Sequence, residues 1–304
     1  MARFFVTGGT GFLGSSLIEL LLAEGHAVRA LVRRPERADV LAPEVEQVAG
    51  DLTSEAAMVR GMEGCDGVFH MAASVGGTLE ATRAFNAVGT ATVLRAAKDA
   101  GVPRIVHTSS SAAIITEEGV VSERAANRTA LVDPYSVTKA EAERACFEAV
   151  DRGQDVRIVN VVNAYGPSPR GPMSYNLLIR AACDGALREV VDARVGWVLA
   201  EDVSRGHLLA FERGEAGKRY VLCGELATFP QFLGVAKRIW GSTAALSVVP
   251  PGSDLPDDAH FFARRSEVYG KLGPVSIEDA NARAIGFSPA GMEAGLAATI
   301  PWMR

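Results

Sequence analysis

Four cysteines in 304 residues, at positions 65, 146, 183 and 223, are too few and too scattered for a disulfide framework. None forms a C-x-x-C pair, so a reduced setting is the expectation. Histidine is as scarce, with 5 residues and no metal-ligand spacing, so no metal is expected. No apolar run approaches the ~18–20 residues that a spanning helix needs, so no membrane is expected. Charge of one sign is not concentrated: 31 Lys and Arg face 36 Asp and Glu, for a net charge of -5. The absence of like-charge blocks argues against nucleic acid and anionic membranes as partners. The chain opens Met1-Ala2-Arg3 and turns at once into an apolar strand, so no signal peptide and a cytoplasmic location are expected.

What is present is alternation. Short apolar runs predict strands over Phe4–Val6, Ala27–Val32, Val45–Ala49, Gly67–Met71, Arg104–Thr108 and Val156–Val162. Helical patterns over residues 12–24, about 79–100 and about 134–151 separate them. The fold class expected is α/β, a Rossmann-type doubly wound parallel sheet with a smaller C-terminal substrate lobe. The pattern breaks in the Pro- and Gly-rich stretch 166–172. A helix over about 174–184 follows, and Val195–Leu199, a helix over 202–213 and Arg219–Cys223 look like a return to the sheet. The division expected is 1–166 plus about 195–223 for the dinucleotide-binding domain, and about 167–194 plus 224–304 for the lobe.

Between the first strand and the first helix lies Thr7-Gly8-Gly9-Thr10-Gly11-Phe12-Leu13-Gly14. Gly8, Gly11 and Gly14 give the G-x-x-G-x-x-G spacing. A tight turn, a close approach to pyrophosphate and close helix packing each need a residue without a side chain. The helix N-terminus then offers free N–H groups to phosphate. Thr7, Thr10, Phe12 and Leu13 share this loop as candidate cofactor contacts. At the end of the second strand an acidic residue would accept from the ribose 2′-hydroxyl of NAD. Arg33 stands there, with Arg34 beside it, in a stretch that also holds Arg29 and Arg37. An arginine favours a 2′-phosphate, so NADP(H) is expected and NAD(H) ranks second. Asp51, followed by Leu52, is placed to accept from the adenine amino group.

Tyr135 and Lys139 form Y-x-x-x-K at the start of a helix, which puts both side chains on one face. A cation beside a phenol favours phenolate and makes tyrosine a general acid or base near neutrality. The strand before it ends in Ser109-Ser110-Ser111, at the end of the sheet where α/β folds place their ligands. One hydroxyl there can orient a substrate oxygen.

These segments resemble the extended short-chain dehydrogenases/reductases, the NAD-dependent epimerase/dehydratase superfamily, and within it the dihydroflavonol 4-reductase-like branch. The resemblance is carried by the glycine loop, Leu31 to Pro35, Gly50-Asp51-Leu52, Val68 to Ala73 and Asn86 to Thr90. It continues through Thr108-Ser109-Ser110, Tyr135 to Lys139, Asn163 to Pro167, Glu201-Asp202-Val203 and Gly286 to Pro289. It implies a catalytic set of Ser110, Tyr135 and Lys139, with Ser109 and Ser111 as alternatives to Ser110. It implies that Ala72, Ala73, Val162 and Asn163 border the cofactor. Ser74, Ser111, Asn163 and Tyr165 are the implied substrate contacts, with Ser110 and Tyr135. A small-molecule carbonyl substrate follows, and a homodimer through the helices around 79–100 and 134–151. The chain departs from the family at Asn160-Val161, where a proline is usual, and segment 168–195 matches no named substrate.

The function expected is NADP(H)-dependent reduction of a ketone or aldehyde. A nucleotide-sugar epimerase with tightly held NAD is the alternative, with Asn163 and Arg264-Arg265 near its phosphates. A non-catalytic NADP sensor ranks last, because Tyr135 and Lys139 are both present. His70, His107 and His207 are read as packing residues, and Asp202 as part of a helix start.

Overall fold

The computed structural model describes residues 1–304, the side chain of Arg37 excepted, so that arginine lies outside the described residues. Short runs rich in Val, Ile and Phe become strands, and longer stretches with one apolar face become the helices between them. In chain order, β1 (Arg3–Thr7) leads into α1 (Phe12–Ala23), β2 (Ala27–Val32), β3 (Glu46–Ala49), α2 (Glu55–Met62) and β4 (Gly67–His70). The helix expected over about 79–100 is interrupted: α3 (Leu79–Arg83) and α4 (Gly89–Asp99) flank a π-helical turn at Ala84–Val88. Then come β5 (Ile105–Ser110), β6 (Val120–Ser122), α5 (Pro134–Asp151), β7 (Val156–Val161), β8 (Asn163–Tyr165) and α6 (Tyr175–Cys183). The remainder is β9 (Glu189–Val191), β10 (Arg194–Leu199), α7 (Ala200–Arg213), β11 (Arg219–Leu222), β12 (Glu225–Thr228) and α8 (Phe229–Trp240). It ends in β13 (Ser247–Val249), α9 (Phe261–Gly270), β14 (Ser276–Glu278), α10 (Ala280–Ala284) and α11 (Met292–Met303).

The main sheet has seven strands in the order β11-β7-β5-β4-β1-β2-β3, and every pair is parallel. Apolar side chains cover both of its faces, which is what a parallel sheet requires. The strand order reverses between β1 and β4, and a crevice at that switch point is where such sheets bind ligands.

One strand departs from expectation. Val195–Leu199 does not return to the main sheet. It lies in β10, which pairs with β8 in parallel and β12 antiparallel. An apolar run encodes burial but not the partner, and the free edge of β7 is already taken by β11, with Arg219 opposite Ile158. Trp197 of β10 instead stacks on Phe232 of α8, ring centroids 3.7 Å apart and 3° from parallel. Helix α8, unlisted among the expected elements, carries its own start signal: Thr228 and Gln231 form a reciprocal capping box with Pro230 in the first turn.

Candidate active site

The turn after β1 is closed by a hydrogen bond from Gly11 N to Gly8 O at 2.9 Å. Gly8 has φ +73°, and a Cβ there would sit 2.6 Å from Ala72 N. A Cβ on Gly14 would lie 2.1 Å from Gly8 O. No side chain at either position could be accommodated without moving backbone. The first turn of α1 has no side-chain cap and no acidic residue. Its N–H groups and positive dipole end are therefore available to an anion, and the site fits a pyrophosphate. Phe12 is part of the core, and its carbonyl accepts from Ser168 Oγ at 2.8 Å, tying the turn to the segment after β8. Thr10 and Leu13 stay partly exposed on the loop. Thr7 is fully buried and holds His70 Nδ1 at 2.7 Å, so its side chain braces the turn.

Arg33 and Arg34 are exposed at the end of β2 and, among the described residues, form no ion pair. Arg29, by contrast, pairs with Glu46 at 2.7 Å and donates to two carbonyls of the α2 end. The Arg33 guanidinium lies 5.9 Å from the Phe85 ring centroid. Asp51 Oδ1 accepts from Thr53 N at 2.9 Å and Thr53 Oγ1 at 2.6 Å. Those bonds hold its carboxyl below the ordinary range, and the charge of Arg33 adds to the effect. Leu52 is buried beneath α4, where it touches the Gly89 position.

Across the switch point, Ala72 N donates to Thr7 Oγ1 at 3.3 Å, and Ala73 is exposed. The loop beyond is pinned by Asn86, which sequence reading placed only within a family segment. Its side chain accepts from Ser74 N at 2.8 Å and donates to Ser74 O at 2.9 Å and Thr138 Oγ1 at 3.0 Å. Ser74 Oγ is turned to its own loop, donating to Gly76 O at 3.1 Å.

The three serines take three different directions. Ser109 donates to Glu143 Oε1 at 2.5 Å beneath the sheet end. Ser110 Oγ accepts from Ala112 N at 3.2 Å and lies against the Tyr135 hydroxyl. Ser111 opens a short 3₁₀ turn and is half-buried. Asp133 caps α5 by accepting from Ser136 N at 3.2 Å, and Pro134 occupies the first turn, which fixes where Tyr135 and Lys139 point. Burial pushes the Tyr135 phenol up, against the Ser110 hydrogen bond and the charge of Arg265. Lys139 is 2% exposed and donates to Thr108 O at 2.7 Å. Burial pulls its ammonium down to about 8. Arg265, from α9, is a further cation whose charge reaches Tyr135.

A buried polar network holds the end of β5. Glu143, fully buried and one helical turn past Lys139, receives Asn160 Nδ2 at 2.6 Å and Arg219 Nε at 2.8 Å as well as Ser109. Asn160 Nδ2 also donates to Ser110 O at 3.0 Å. Val161, standing where a proline is expected, continues β7 to its last residue opposite Ser110, and the Asn160 amide fixes the Ser110 backbone. The arrangement predicts a split between neighbouring serines. Ser109→Ala should lower unfolding free energy by roughly 1.5–3 kcal/mol, the range for hydrogen bonds to charged groups. Ser110→Ala should leave stability near wild type and take turnover instead. Denaturant melts and steady-state rates on the two variants decide it; a larger loss of turnover in Ser111→Ala would place the active hydroxyl one residue later.

The histidines are structural. His70, His107 and His207 are all buried, and burial lowers each, His70 to about 3 and His207 to about 4. His70 bridges Thr7 and Thr90, and His207 Nε2 lies 2.9 Å from Thr108 Oγ1. Asp202 lies in the first turn of α7 and accepts from Ala290 N at 2.9 Å.

Tyr165 corrects the expectation of a substrate contact. It is 2% exposed, donates to Met292 O at 3.3 Å and packs edge-on against Phe232, so its side chain belongs to the hydrophobic core. Val162 is buried at the end of β7, whereas the Asn163 amide, among the described residues, has no hydrogen-bond partner in the chain. Tyr175 and Tyr269 were missed, and Arg265 was named only for the epimerase alternative; the three come from α6 and α9 and act on one another and on Tyr135. Tyr175 follows Ser174, whose φ of 54° is rare for a residue with a side chain. No helix in the structure is long and apolar enough to cross a membrane, and no metal-binding cluster occurs among the described residues.

The sequence model of the NAD dependent epimerase/dehydratase family matches residues 4–223. The chain is 33% identical to Sterol demethylase protein B of Methylococcus capsulatus, over 98% of this chain and 97% of that protein. It is 35% identical to a dihydroflavonol 4-reductase-like protein of Synechocystis sp., over 81% of this chain and 75% of that one. The crystal structure of gox2253 shares the fold with a TM-score of 0.85 at 24% identity, covering 100% of this chain and 98% of that one.

Proposed function

The chain belongs to the NAD dependent epimerase/dehydratase family of extended short-chain oxidoreductases, and we propose that within it the protein is an NADP(H)-dependent reductase of a ketone or aldehyde. The observation that carries this reading is the convergence of Ser110, Tyr135 and Lys139 at the C-terminal ends of β5 and α5's first turns, beside the glycine turn. The similarity to a reductase-named relative supports it.

Gly8 to Gly14 and the uncapped α1 would hold the pyrophosphate, Arg33 and Arg34 a 2′-phosphate, and Lys139 with Asn163 the nicotinamide end. When bound, the nicotinamide supplies hydride chemistry. The rest is the work of the chain. Ser110 donates to the substrate oxygen and fixes its position. Tyr135, held protonated by burial, gives its phenolic proton to that oxygen as negative charge develops there. A raised phenol suits the reductive direction, in which the tyrosine must enter the step as an acid. Lys139 keeps its charge close to the reacting centre through the Thr108 carbonyl.

We read the face shared by α4 and α5 as a homodimer contact: Val88 is 57% exposed beside Ala87, Ala91 and Ala145, which line a surface cleft of about 400 Å³. The reductase reading is tested by a turnover screen of ketones, aldehydes and nucleotide sugars with NADPH and NADH in parallel. Epimerisation of a nucleotide sugar by enzyme that retains NAD through purification would overturn it.

A further inference from the structure

Helix α9 carries two adjacent arginines with opposite fates. Arg264 is neutralised on the outside, by Asp257 at 3.0 Å and Glu267 at 2.9 Å. Arg265 turns inward. Its guanidinium lies over the ring of Tyr269, 5.5 Å from the centroid, and close to Tyr175 and Tyr135. Among the described residues it has no carboxylate partner. Asp133, whose charge reaches Arg265, is spent on capping α5, where Ser136 Oγ donates to it at 2.6 Å. Tyr135, Tyr175 and Tyr269 are each pushed up by burial and stay neutral, so none offers Arg265 an anion. A guanidinium cannot shed its charge. Placing one in a half-buried aromatic pocket without a counter-charge is costly unless a ligand supplies it.

We infer that Arg265 receives a carboxylate carried by the carbonyl substrate, with the Tyr175 and Tyr269 hydroxyls as neighbouring donors. This rests on the reductase reading above. A planar guanidinium fork matches a carboxylate in shape and charge, and the phosphates of a nucleotide sugar, which it would also match, are the competing occupant that UDP-glucose probes. The rings of Tyr175 and Tyr269 beside Arg265 suit an apolar group next to the carboxylate. The charge of Arg265 reaches Tyr135, so the acid group and the reacting carbonyl would belong to one molecule.

Two readouts keep the inference separate from the reductase reading. Calorimetry on the NADP⁺-loaded Tyr135→Phe protein, which needs no turnover, compares 3-phenylpropanoate with 3-phenylpropanamide. The acid should bind about tenfold tighter or more, the range charge-assisted bonds give. Adding Arg265→Met should abolish the difference, and Arg265→Lys should restore part of it, with thermal melts confirming that each protein is folded. In the kinetic arm, wild-type enzyme with NADPH should reduce 4-oxo-4-phenylbutanoate with kcat/KM about tenfold above that of its methyl ester, and Arg265→Met should erase the gap through KM. Equal binding of acid and amide by the wild-type pocket overturns the inference, as does UDP-glucose binding that is tighter than the acid's and lost in Arg265→Met. Reduction of neither ketone, with acid binding intact, counts against the reductase reading and leaves the carboxylate site standing.

Discussion

Tyr135→Phe should turn over at least ~10²-fold more slowly than the wild type while binding NADPH with unchanged affinity. The substitution removes one oxygen and leaves the ring. The proton that the substrate oxygen needs must then come from water, which the half-buried site admits poorly. Nothing in the glycine turn or at Arg33 depends on that hydroxyl, so fluorescence titration of NADPH should superimpose on the wild type. Stability should fall by no more than about 0.5–1.5 kcal/mol, the worth of the one hydrogen bond to Ser110, because the Asp133 cap and Pro134 place the residue. The raised phenol has a consequence for the direction of reaction. Reduction, which consumes the acid form, should keep its Tyr135-dependent rate through neutral pH, while oxidation of an alcohol, which needs phenolate, should rise toward alkaline pH. Rates of Tyr135→Phe within a factor of ten of wild type in the reductive direction would remove the tyrosine from the mechanism.

The parts of this site that local sequence could encode were legible in it. The glycine turn is read from eight consecutive residues, because the φ of Gly8 and the contact of Gly14 with Gly8 O are local demands. The helix that carries Tyr135 and Lys139 announces itself by Asp133-Pro134 and by the four-residue interval. Of the seven strands of the main sheet, β1, β2, β4, β5 and β7 are apolar runs whose burial and parallel pairing follow from the helices between them. Other features depend on partners far away in the chain. The placement of β10 beside β8 was decided by which edge β11 occupied, and no run of residues states that. Tyr165 looked like a pocket residue until the lobe folded over it; its hydroxyl meets Met292, separated from it by 127 residues. Arg265 sits in a sequence of two arginines that differ in nothing local. Only the packing of α9 against Tyr135 and Tyr175 tells them apart. Ser109 and Ser110 were adjacent alternatives for the same reason, until Glu143 claimed the Ser109 hydroxyl from below and Asn160 fixed the Ser110 carbonyl.

The wild-type protein should prefer NADPH over NADH at least about tenfold in kcat/KM, and Arg33→Asp should reverse that preference. NADP differs from NAD by a phosphate on the adenosine ribose. Arg33 ends β2 on the crevice side of the sheet, exposed and, among the described residues, in no ion pair, with Arg34 beside it. A charge-assisted contact with that phosphate is worth ~1.5–3 kcal/mol, or roughly 10–150-fold in affinity. The neighbourhood already contains one carboxylate, Asp51, whose Oδ1 is engaged by Thr53 and whose charge Arg33 partly offsets. In Arg33→Asp that offset disappears and a second negative charge joins it. The 2′-phosphate is then repelled by both carboxylates, while the free 2′-hydroxyl of NADH finds an acceptor. Discrimination should therefore move further than loss of one favourable contact implies. Arg34→Asp should weaken NADPH less, since Arg34 begins the turn into Pro35 and lies two residues beyond the strand. Comparing kcat/KM for both cofactors across the three proteins measures this directly. Equal use of the two by the wild type, or NAD carried through purification, would show that the arginine pair is only a solvated strand end.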